Sequence, residues 1–363
     1  MIRTTKNAGK TIVLTGGGTA GHVLPHLALL PHLKATFNKI YYIGSTNLAE
    51  RKIIEDAGVP FYPLKCVKFR RSFSPKNIVK NAMIPFGFLK SKKQATKILN
   101  QLTPDIVFSK GGFVALPVVL AAKARRIPVV AHESDATLGL ANRLSVGACT
   151  KICTTFEIEG DKFVHAGSLI RQKIYNGNAE IVARRHDMPL AKTDQNLLVL
   201  GGSLGATKVN EAVRSALTDL SKQYNIIHVC GRGKTADVSA PGYVQLEYIQ
   251  DIENYIAWAD VVVSRAGSNT LCELMVCGKP TLFIPLSTGR GDQIDNVKIV
   301  QKYNAGGVLL ESALNNASLV RGLRETWDNR ETYAKNAYKV TKDGTKGVFD
   351  TIFSVVCDAD YTK

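Results

Sequence analysis

The stretch Thr11-Ile-Val-Leu-Thr-Gly-Gly-Gly-Thr-Ala-Gly-His22 and the later stretch Asn196-Leu-Leu-Val-Leu-Gly-Gly-Ser-Leu-Gly-Ala206 share one pattern. In each, a short apolar run leads into glycines and then into a segment with helical character. The pattern predicts a parallel strand, a tight turn and a helix N-terminus, whose amide groups and dipole favour an anion. Glycine is needed because a Cβ would obstruct both the turn and an approaching phosphate. Two such turns predict two nucleotide-binding-type domains that face one cleft, in an enzyme that acts on a phosphorylated donor.

Around these turns, apolar β-rich runs alternate with helical segments, as in βαβ units with a parallel sheet. The predicted strands are Thr11–Thr15, Ile40–Ile43, Ile106–Phe108, Val129–Ala131, Lys151–Thr154, Leu197–Leu200, Ile226–Cys230, Val261–Ser264 and Thr281–Ile284. We therefore predict an α/β chain with two Rossmann-like domains, residues 1–170 and 171–343. The polar stretch from Arg171 to Gln195 marks the junction, and a helix at about 344–363 is expected to pack back on the first domain.

Length and composition predict a soluble protein of two domains. The chain has 363 residues, 45% of them hydrophobic and 21% charged, which is enough for two separate cores. No apolar run is long enough to span a membrane, and the polar N-terminus lacks the apolar core of a signal peptide. These features indicate a cytoplasmic location. The seven cysteines, an odd number without zinc-site spacing, predict reduced thiols and no metal site.

The net charge of +17 is concentrated between Lys65 and Lys97, where ten basic residues occur with no acidic one. Apolar and basic side chains alternate there, and the candidate membrane-facing residues are Phe73, Ile78, Phe86, Phe88, Lys80, Lys90, Lys92 and Lys93. A basic amphipathic stretch with aromatic residues suits an anionic membrane surface. The alternative is a solvated face whose apolar residues pack on the domain. No nucleic-acid recognition motif accompanies the charge, so we predict no nucleic-acid partner.

The first glycine turn formally satisfies the dinucleotide fingerprint Gly16-x-Gly18-x-x-Gly21. A nicotinamide dinucleotide site would also need an acidic residue near the end of the second strand. The nearest acid to that strand end is Glu50, so the hydride-transfer interpretation lacks its confirming residue. His22 follows the turn, where a positive helix end disfavours imidazolium and a neutral imidazole can serve as a base. A purely structural histidine is the open alternative.

Two further segments of the first domain follow predicted strands. Ala131-His132-Glu133-Ser134-Asp135 lies at the functional edge of the sheet, with Asn142 soon after it. The alternative there is a helix N-cap by Ser134 or Asp135. Lys110-Gly111-Gly112-Phe113 is a third glycine turn, which we interpret as an acceptor-side loop.

In the second domain, polar residues suited to a nucleotide sugar follow one another closely. A strand ends at Ser264, and Gly267-Ser268-Asn269-Thr270 opens a helix that can hold an anion. Glu273, one turn into this helix, can accept two hydrogen bonds from a ribose diol. Gln293 and Asn296 suit sugar hydroxyls, while the guanidinium of Arg171 can bind phosphate oxygens bidentately.

Together these segments resemble the MurG family of peptidoglycan N-acetylglucosaminyltransferases, in glycosyltransferase family 28, and most closely its Gram-positive branch. The matching elements, in the family's order, are Thr15–His22, Ser109–Phe113, His132-Glu133, Gly201–Ala206, Arg265–Thr270 with Glu273, and Asp292-Gln293 with Asn296. The resemblance implies a GT-B fold, two Rossmann-like domains separated by a deep cleft, with UDP-GlcNAc mainly on the C-terminal domain.

The resemblance also implies roles for individual residues. Glu273 would bind the uridine ribose and Ile249 the uracil through its backbone; Ser203, Arg171 and Thr270 would bind the diphosphate. Gln293 and the Ser268 backbone would contact the GlcNAc hydroxyls. The remaining implied donor-site residues are Thr19, Gly21, Asn142 and Asn269. The acceptor side would hold His22, His132, Glu133, Gly111 and Gly112.

Two departures from the family pattern matter. Leu204 and Asp135 stand where many members have Gln and Asn. Leu204 removes one possible side-chain contact, and Asp135 adds a carboxylate that competes with His22 as the general base. Which of the two is the base stays open at this stage.

The resemblance implies an inverting transfer of GlcNAc from UDP-GlcNAc to lipid I, without cofactor or metal, at the cytoplasmic face of the membrane. Other cell-wall synthesis or division proteins would be its neighbours. The alternatives are another lipid-acceptor glycosyltransferase, such as a diacylglycerol glycosyltransferase, a UDP-sugar epimerase, and a non-catalytic nucleotide-sugar sensor.

Overall fold

A computed structural model describes residues 9–18, 20–66, 84–188, 195–202, 205–288 and 290–361. The chain divides into two compact units. The first unit contains Met1–Leu169 and Asp343–Lys363, and the second contains Ile170–Lys342.

The first unit is built on a parallel sheet of seven strands within the described residues, in the order β3-β2-β1-β4-β5-β6-β7. The strands are β1 Thr11–Thr15, β2 Lys39–Gly44, β3 Phe61–Pro63, β4 Ile106–Ser109, β5 Val129–Glu133, β6 Lys151–Thr154 and β7 Phe163–His165. The helices are α1 Ala20–Thr36, α2 Leu48–Asp56, α3 Ile84–Leu102, α4 Ala115–Ala124, α5 Leu140–Ser145 and, from the C-terminal segment, α14 Thr345–Tyr361.

The central strands of this sheet are buried on both faces. Ile12 and Leu14 of β1 belong to the core under α1 and α14, whereas Val13 belongs to the core on the opposite face. Continuous apolar runs such as Thr11–Thr15 are therefore typical of the middle of a parallel sheet. The helix α14 contributes Val348 and Ile352 to the same core as α1, so the C-terminal segment is an integral part of the first unit.

The second unit has its own parallel sheet of six strands among the described residues, in the order β10-β9-β8-β11-β12-β13. The strands are β8 Gln195–Leu200, β9 Tyr224–Val229, β10 Tyr243–Leu246, β11 Val261–Ser264, β12 Thr281–Phe283 and β13 Gly307–Val308. The helices are α6 Ala179–His186, α7 Thr207–Ser215, α8 Leu217–Leu220, α9 Ile252–Trp258, α10 Ser268–Val276, α11 Asp292–Lys302, α12 Asn316–Asp328 and α13 Arg330–Val340.

Each sheet has one point where the strand order reverses. In the first unit it lies between β1 and β4, and in the second between β8 and β11. Ligands of open α/β sheets bind at the carboxyl ends of the strands beside such a switch point. Both glycine turns predicted from the sequence, and the segments after β4 and β11, lie at these two positions.

Candidate active site

The second unit presents a glycine turn at the end of β8. Gly205 has a positive φ of 67°, and a Cβ there would lie 2.0 Å from the carbonyl oxygen of Cys230, so only glycine fits. Gly202 also has a positive φ, of 80°, but a Cβ there would meet nothing within 4 Å. The turn thus packs tightly against the Cys230 backbone at Gly205, whereas no described atom lies close to Gly202. Ser203 and Leu204 lie outside the described residues.

Next to this turn, β11 delivers the chain to the N-terminus of α10. Gly267 is the N-cap of α10, and no side chain caps the helix there. The side-chain amide of Asn296 donates to the carbonyl oxygen of Ala266 at 3.1 Å and so holds α11 against this turn. Ser268 is buried, while Asn269 and Thr270 are partly exposed. The first amide groups of α10 are therefore positioned at the sheet edge, where an anion is favoured.

The structure brings together two residues that the sequence assigned to different parts of the donor. Arg171 donates from Nε and Nη2 to Oε1 of Glu273, at 3.1 and 2.7 Å. Both side chains are nearly buried, with 14% and 10% of their surfaces exposed. Burial raises the pKa of Glu273 above its usual value, and the Arg171 guanidinium opposes that rise. Arg171 therefore counters the cost of burying the carboxylate and orients it.

Two other predicted donor-site residues follow strands of the same sheet. Gln293, in the first turn of α11, accepts a hydrogen bond at Oε1 from the Leu286 amide at 2.9 Å, which secures the loop after β12. Ile249 follows β10 and is partly exposed, and the adjacent Tyr248 ring lies under the Arg232 guanidinium at 5.5 Å. Both positions belong to the same sheet edge as α10.

In the first unit, the glycine turn after β1 packs against the glycine turn after β4. A Cβ on Gly112 would lie 2.6 Å from the carbonyl oxygen of Gly17 and 3.4 Å from the His22 ring. His22 is partly exposed, in the first turn of α1, next to Gly21. A Cβ on Gly111 would likewise lie close to the side-chain amide of Asn142. Thr19 lies outside the described residues.

Glu133 organises the loop after β5. Its carboxylate accepts hydrogen bonds from the amides of Ser134, Asp135 and Gly139 and from the side chain of Asn142, at 2.7 to 3.1 Å. Asn142 also donates to the carbonyl oxygen of His132 at 3.2 Å and is buried. Glu133 and Asn142 thus hold the loop that carries Asp135, which is itself partly exposed.

The N-cap alternative for this segment is wrong. Helix α5 begins at Leu140 with Gly139 as its N-cap and without a side-chain capping bond. Ser134 and Asp135 precede this N-cap by five and four residues, so they are too far upstream to cap the helix. The two residues remain in the loop at the sheet edge.

His132 is fully buried, and its Nε2 lies 3.0 Å from the carbonyl oxygen of Gly167. Burial and the positive charge of Lys110 hold the pKa of His132 well below its usual value, so it is neutral. Lys110 is itself buried and donates from Nζ to the Ser134 hydroxyl. Sequence reasoning assigned the turn at Lys110 to the acceptor side but did not predict this contact, since it joins the loops after β4 and β5.

Sequence reasoning also missed the position of Glu50. Its carboxylate accepts from the Gly18 amide at 3.3 Å and from the amide and hydroxyl of Ser45 at 2.9 and 2.5 Å. The acidic residue nearest the end of β2 was considered only as a ribose ligand. The sequence feature that could have indicated this role is the position of Glu50 at the start of α2, shortly after the end of β2 at Gly44.

Apart from Lys65 and Cys66, the described part of the basic stretch belongs to α3. Phe86 and Leu89 are exposed by 70% and 61%, and Lys90 and Lys93 beside them are exposed as well. Phe88 and Lys92 are partly buried. Phe73, Ile78 and Lys80 lie outside the described residues. None of the described helices is both long and apolar enough to cross a membrane.

Among the described residues, no group of three or more His, Cys, Asp or Glu side chains is arranged to hold a metal ion.

Two family models match most of the chain. The glycosyltransferase family 28 N-terminal domain matches residues 12–154, and the family 28 C-terminal domain matches residues 196–352. The chain belongs to glycosyltransferase family 28. The resemblance predicted from the sequence motifs is thereby confirmed.

Curated relatives extend this assignment. The family 28 chain is 43% identical to the "UDP-N-acetylglucosamine--N-acetylmuramyl-(pentapeptide) pyrophosphoryl-undecaprenol N-acetylglucosamine transferase" of Clostridium botulinum strain Loch Maree, over 94% of this chain and 98% of the relative. It is also 43% identical to the enzyme of that name from Lachnospira eligens, over 96% and 99%. This protein is therefore a glycosyltransferase.

Solved structures agree on the fold. MurG of Acinetobacter baumannii superposes with a TM-score of 0.74 at 26% identity, covering 95% of this chain and 99% of that one. The calicheamicin glycosyltransferase CalG4 superposes with a TM-score of 0.72 at 14% identity, over 96% and 98%, which bears on the fold alone. The predicted GT-B fold of two Rossmann-like domains is confirmed.

Proposed function

We propose that this enzyme transfers GlcNAc from UDP-GlcNAc to the C4 hydroxyl of MurNAc in undecaprenyl-pyrophosphoryl-MurNAc-pentapeptide, lipid I, and so forms the β1,4-linked lipid II of peptidoglycan. The observation that carries the proposal is the 43% identity, over nearly the whole of both chains, with enzymes named for this transfer. The acceptor oxygen bonds to the anomeric carbon, the bond between that carbon and UDP breaks, and the acceptor proton passes to a base. Attack opposite the leaving group inverts the α-linked donor.

The donor binds to the second unit in this proposal. Glu273 accepts from the ribose hydroxyls, since Arg171 holds its carboxylate at the sheet edge. The Ile249 backbone contacts the uracil, and Gln293 with the Ser268 backbone contacts the GlcNAc hydroxyls. All these positions follow strands of one sheet, and the N-terminus of α10 lies beside its switch point.

The diphosphate lies at the N-terminus of α10. The amide groups of Asn269 and Thr270, the glycine turn with Ser203 and the helix dipole stabilise the charge that develops on departing UDP. Arg171 binds Glu273 through Nε and Nη2, so Nη1 is the atom of this guanidinium that would reach a phosphate oxygen.

The acceptor binds to the first unit in this proposal. His22 and Asp135 are the two candidates for the base, and each follows a strand at the switch-point edge. Gly111 and Gly112 shape the loop beside His22, and Glu133 holds the loop of Asp135. A base within hydrogen-bonding reach of the acceptor hydroxyl contributes about 10²- to 10⁴-fold to the rate.

The enzyme associates peripherally with the anionic, cytoplasmic face of the cell membrane in this proposal. Phe86 and Leu89 present apolar surface at the start of α3, and Lys90 and Lys93 lie beside them. Each cation near an anionic surface contributes about 1 kcal/mol, in addition to the apolar area that is buried. An enzyme with a lipid-linked acceptor needs such a surface, because its acceptor is anchored in the membrane.

The test is UDP release from UDP-GlcNAc by the purified full chain, with and without a lipid I analogue. Release that requires the analogue, with the disaccharide-lipid as product, supports the proposal. Release that requires diacylglycerol instead would point to a different lipid acceptor. Tight UDP-GlcNAc binding without release under either condition would point to a nucleotide-sugar sensor.

A further inference from the structure

Beneath the first glycine turn lies a buried carboxylate that the reaction scheme above does not use. Glu50, in α2, is 5% exposed. Its Oε2 accepts from the Gly18 amide at 3.3 Å and from the Ser45 hydroxyl at 2.5 Å, and its Oε1 accepts from the Ser45 amide at 2.9 Å. One side chain thus connects the turn after β1 with the end of β2.

Two neighbouring residues, Gly17 and Gly44, have to be glycine because the Glu50 carboxylate occupies the space that a Cβ would need. A Cβ on Gly17 would lie 2.4 Å from Oε1 of Glu50, and a Cβ on Gly44 would lie 2.3 Å from the same atom. Neither distance is possible for a real side chain, so the carboxylate fills the space below the turn. Its negative charge also contributes to raising the pKa of the buried Tyr42, after burial itself.

The two glycine turns of the chain therefore differ. In the first unit, an amide of the turn already donates to a carboxylate of the protein. In the second unit, a Cβ on Gly202 would meet nothing within 4 Å. The first turn is therefore held by a side chain of the protein itself.

We propose that Glu50 is a positioning residue, which locks the Gly16–Gly18 turn and thereby fixes His22 for the acceptor hydroxyl. The connection is short: a Cβ on Gly16 would lie 2.6 Å from the His22 carbonyl oxygen, so the turn and the start of α1 are in direct contact. This inference rests on the proposed function. A displacement of about 1 Å at a reacting group can lower a rate about 100-fold.

The test compares Glu50→Gln with Glu55→Gln in the full chain. Glutamine keeps the size of Glu50 but replaces one accepting oxygen with an NH2 group, which cannot accept from Gly18 or Ser45. Glu55 lies on the same helix, is exposed and pairs with Arg51 at 2.8 Å, so it is the matched control. Ser45→Ala is a milder variant that keeps the Glu50 carboxylate and removes two bonds of the Ser45 hydroxyl, the one donated to Oε2 and the longer one accepted from the Asn47 amide at 3.3 Å.

Three quantities are measured for each variant: kcat with the lipid I analogue, UDP affinity by calorimetry, and hydrogen exchange of the backbone from Gly16 to His22. For Glu50→Gln we expect faster exchange in this segment, a kcat lower by about 10- to 100-fold and unchanged UDP affinity. Ser45→Ala should shift exchange and kcat in the same direction by less, and Glu55→Gln should match the wild type.

Wild-type exchange and kcat in Glu50→Gln would overturn the proposal. A fall in UDP affinity that parallels the fall in kcat would overturn it too, since that pattern means a general loss of folded protein. If the wild type makes no product, the proposed function fails, while the exchange comparison still decides whether Glu50 holds the turn.

Discussion

At the scale of the residue, the Arg171–Glu273 pair links the stability of the second unit to the proposed binding of the donor ribose. A buried carboxylate needs a partner, and here the partner follows the start of the second unit by one residue. Removing one member of a buried pair costs more than the pair contributes, because the other charge is left uncompensated. Substitutions at these two positions should therefore destabilise the second unit, and under the proposed function they should also weaken donor binding.

Glu273→Gln should raise the KM for UDP-GlcNAc at least about tenfold, which is roughly 1.4 kcal/mol of binding free energy, with little change in kcat. The amide keeps the shape of the carboxylate but loses an oxygen that accepts from ribose. Steady-state kinetics and UDP calorimetry measure this. Arg184→Gln, on the exposed Arg184–Glu180 pair of α6, is the control. An unchanged KM for the donor would remove Glu273 from the ribose site.

His22→Ala should chiefly lower kcat, by about 10²- to 10⁴-fold, with a nearly unchanged donor KM. The reason is that His22 lies in the first unit beside Gly112, whereas the residues proposed here to hold the ribose, uracil and diphosphate belong to the second unit. Asp135→Asn, measured in parallel with the lipid I analogue, shows which of the two is the base. A wild-type kcat in either variant removes that residue from the role.

At the scale of the element, the sequence predicts the strands that are buried on both sides and misses the short ones at the edges. The run Thr11–Thr15 is apolar enough to identify β1, and the structure has the same bounds. By contrast, β3 and β13 have three and two residues. So few residues carry no periodicity, and their pairing is set by the neighbouring strand.

The candidate site is predictable to the same extent. Each motif follows a strand of one of the two parallel sheets, so its place at the carboxyl edge of that sheet is predictable. Contacts between distant segments are not predictable from the motifs: Glu50 with Gly18, Arg171 with Glu273 and Lys110 with Ser134 depend on tertiary packing. Sequence reasoning therefore named Glu273 and Arg171 but could not pair them.

For the helix α3, we expect Phe86→Ser to weaken binding to vesicles of anionic phospholipid by severalfold. Phe86 is 70% exposed, so its removal costs little folding free energy but removes apolar area that a membrane would bury. Vesicle co-sedimentation measures the effect. Tyr338→Ser is the matched control, since Tyr338 is 68% exposed in the second unit. Equal binding by both variants would contradict a membrane role for this end of α3.

At the scale of the whole molecule, both units contain histidines that are buried and neutral. Burial lowers the pKa of His26 and of His228 to about 3. In the unfolded chain the pKa returns to about 6.5, so the unfolded state binds more protons between these values. The free energy of unfolding should therefore rise with pH from about 3 to 6.5, by up to about 1.4 kcal/mol per pH unit for each histidine.

Urea unfolding between pH 4.5 and 7.5 measures this slope. His228→Gln should reduce it, because Gln does not titrate and can still bond to Asn210 and Tyr243, which contact His228 at 3.0 and 2.9 Å. The same slope in His228→Gln as in the wild type would show that this histidine does not take up a proton on unfolding.

The two units have separate cores and separate sheets, so donor binding should be detectable in one of them alone. A ligand at 100 times its Kd stabilises the folded state by about 2.7 kcal/mol. With saturating UDP, hydrogen exchange should therefore slow at the ends of β8 and β11 and in the first turn of α10, where we propose that the amide groups bind the diphosphate. The strands β1, β4 and β5 should exchange as they do without UDP, and Glu273→Gln should reduce the protection. Protection confined to the first glycine turn would reverse the assignment of donor and acceptor to the two units, because UDP would then be bound by the first unit.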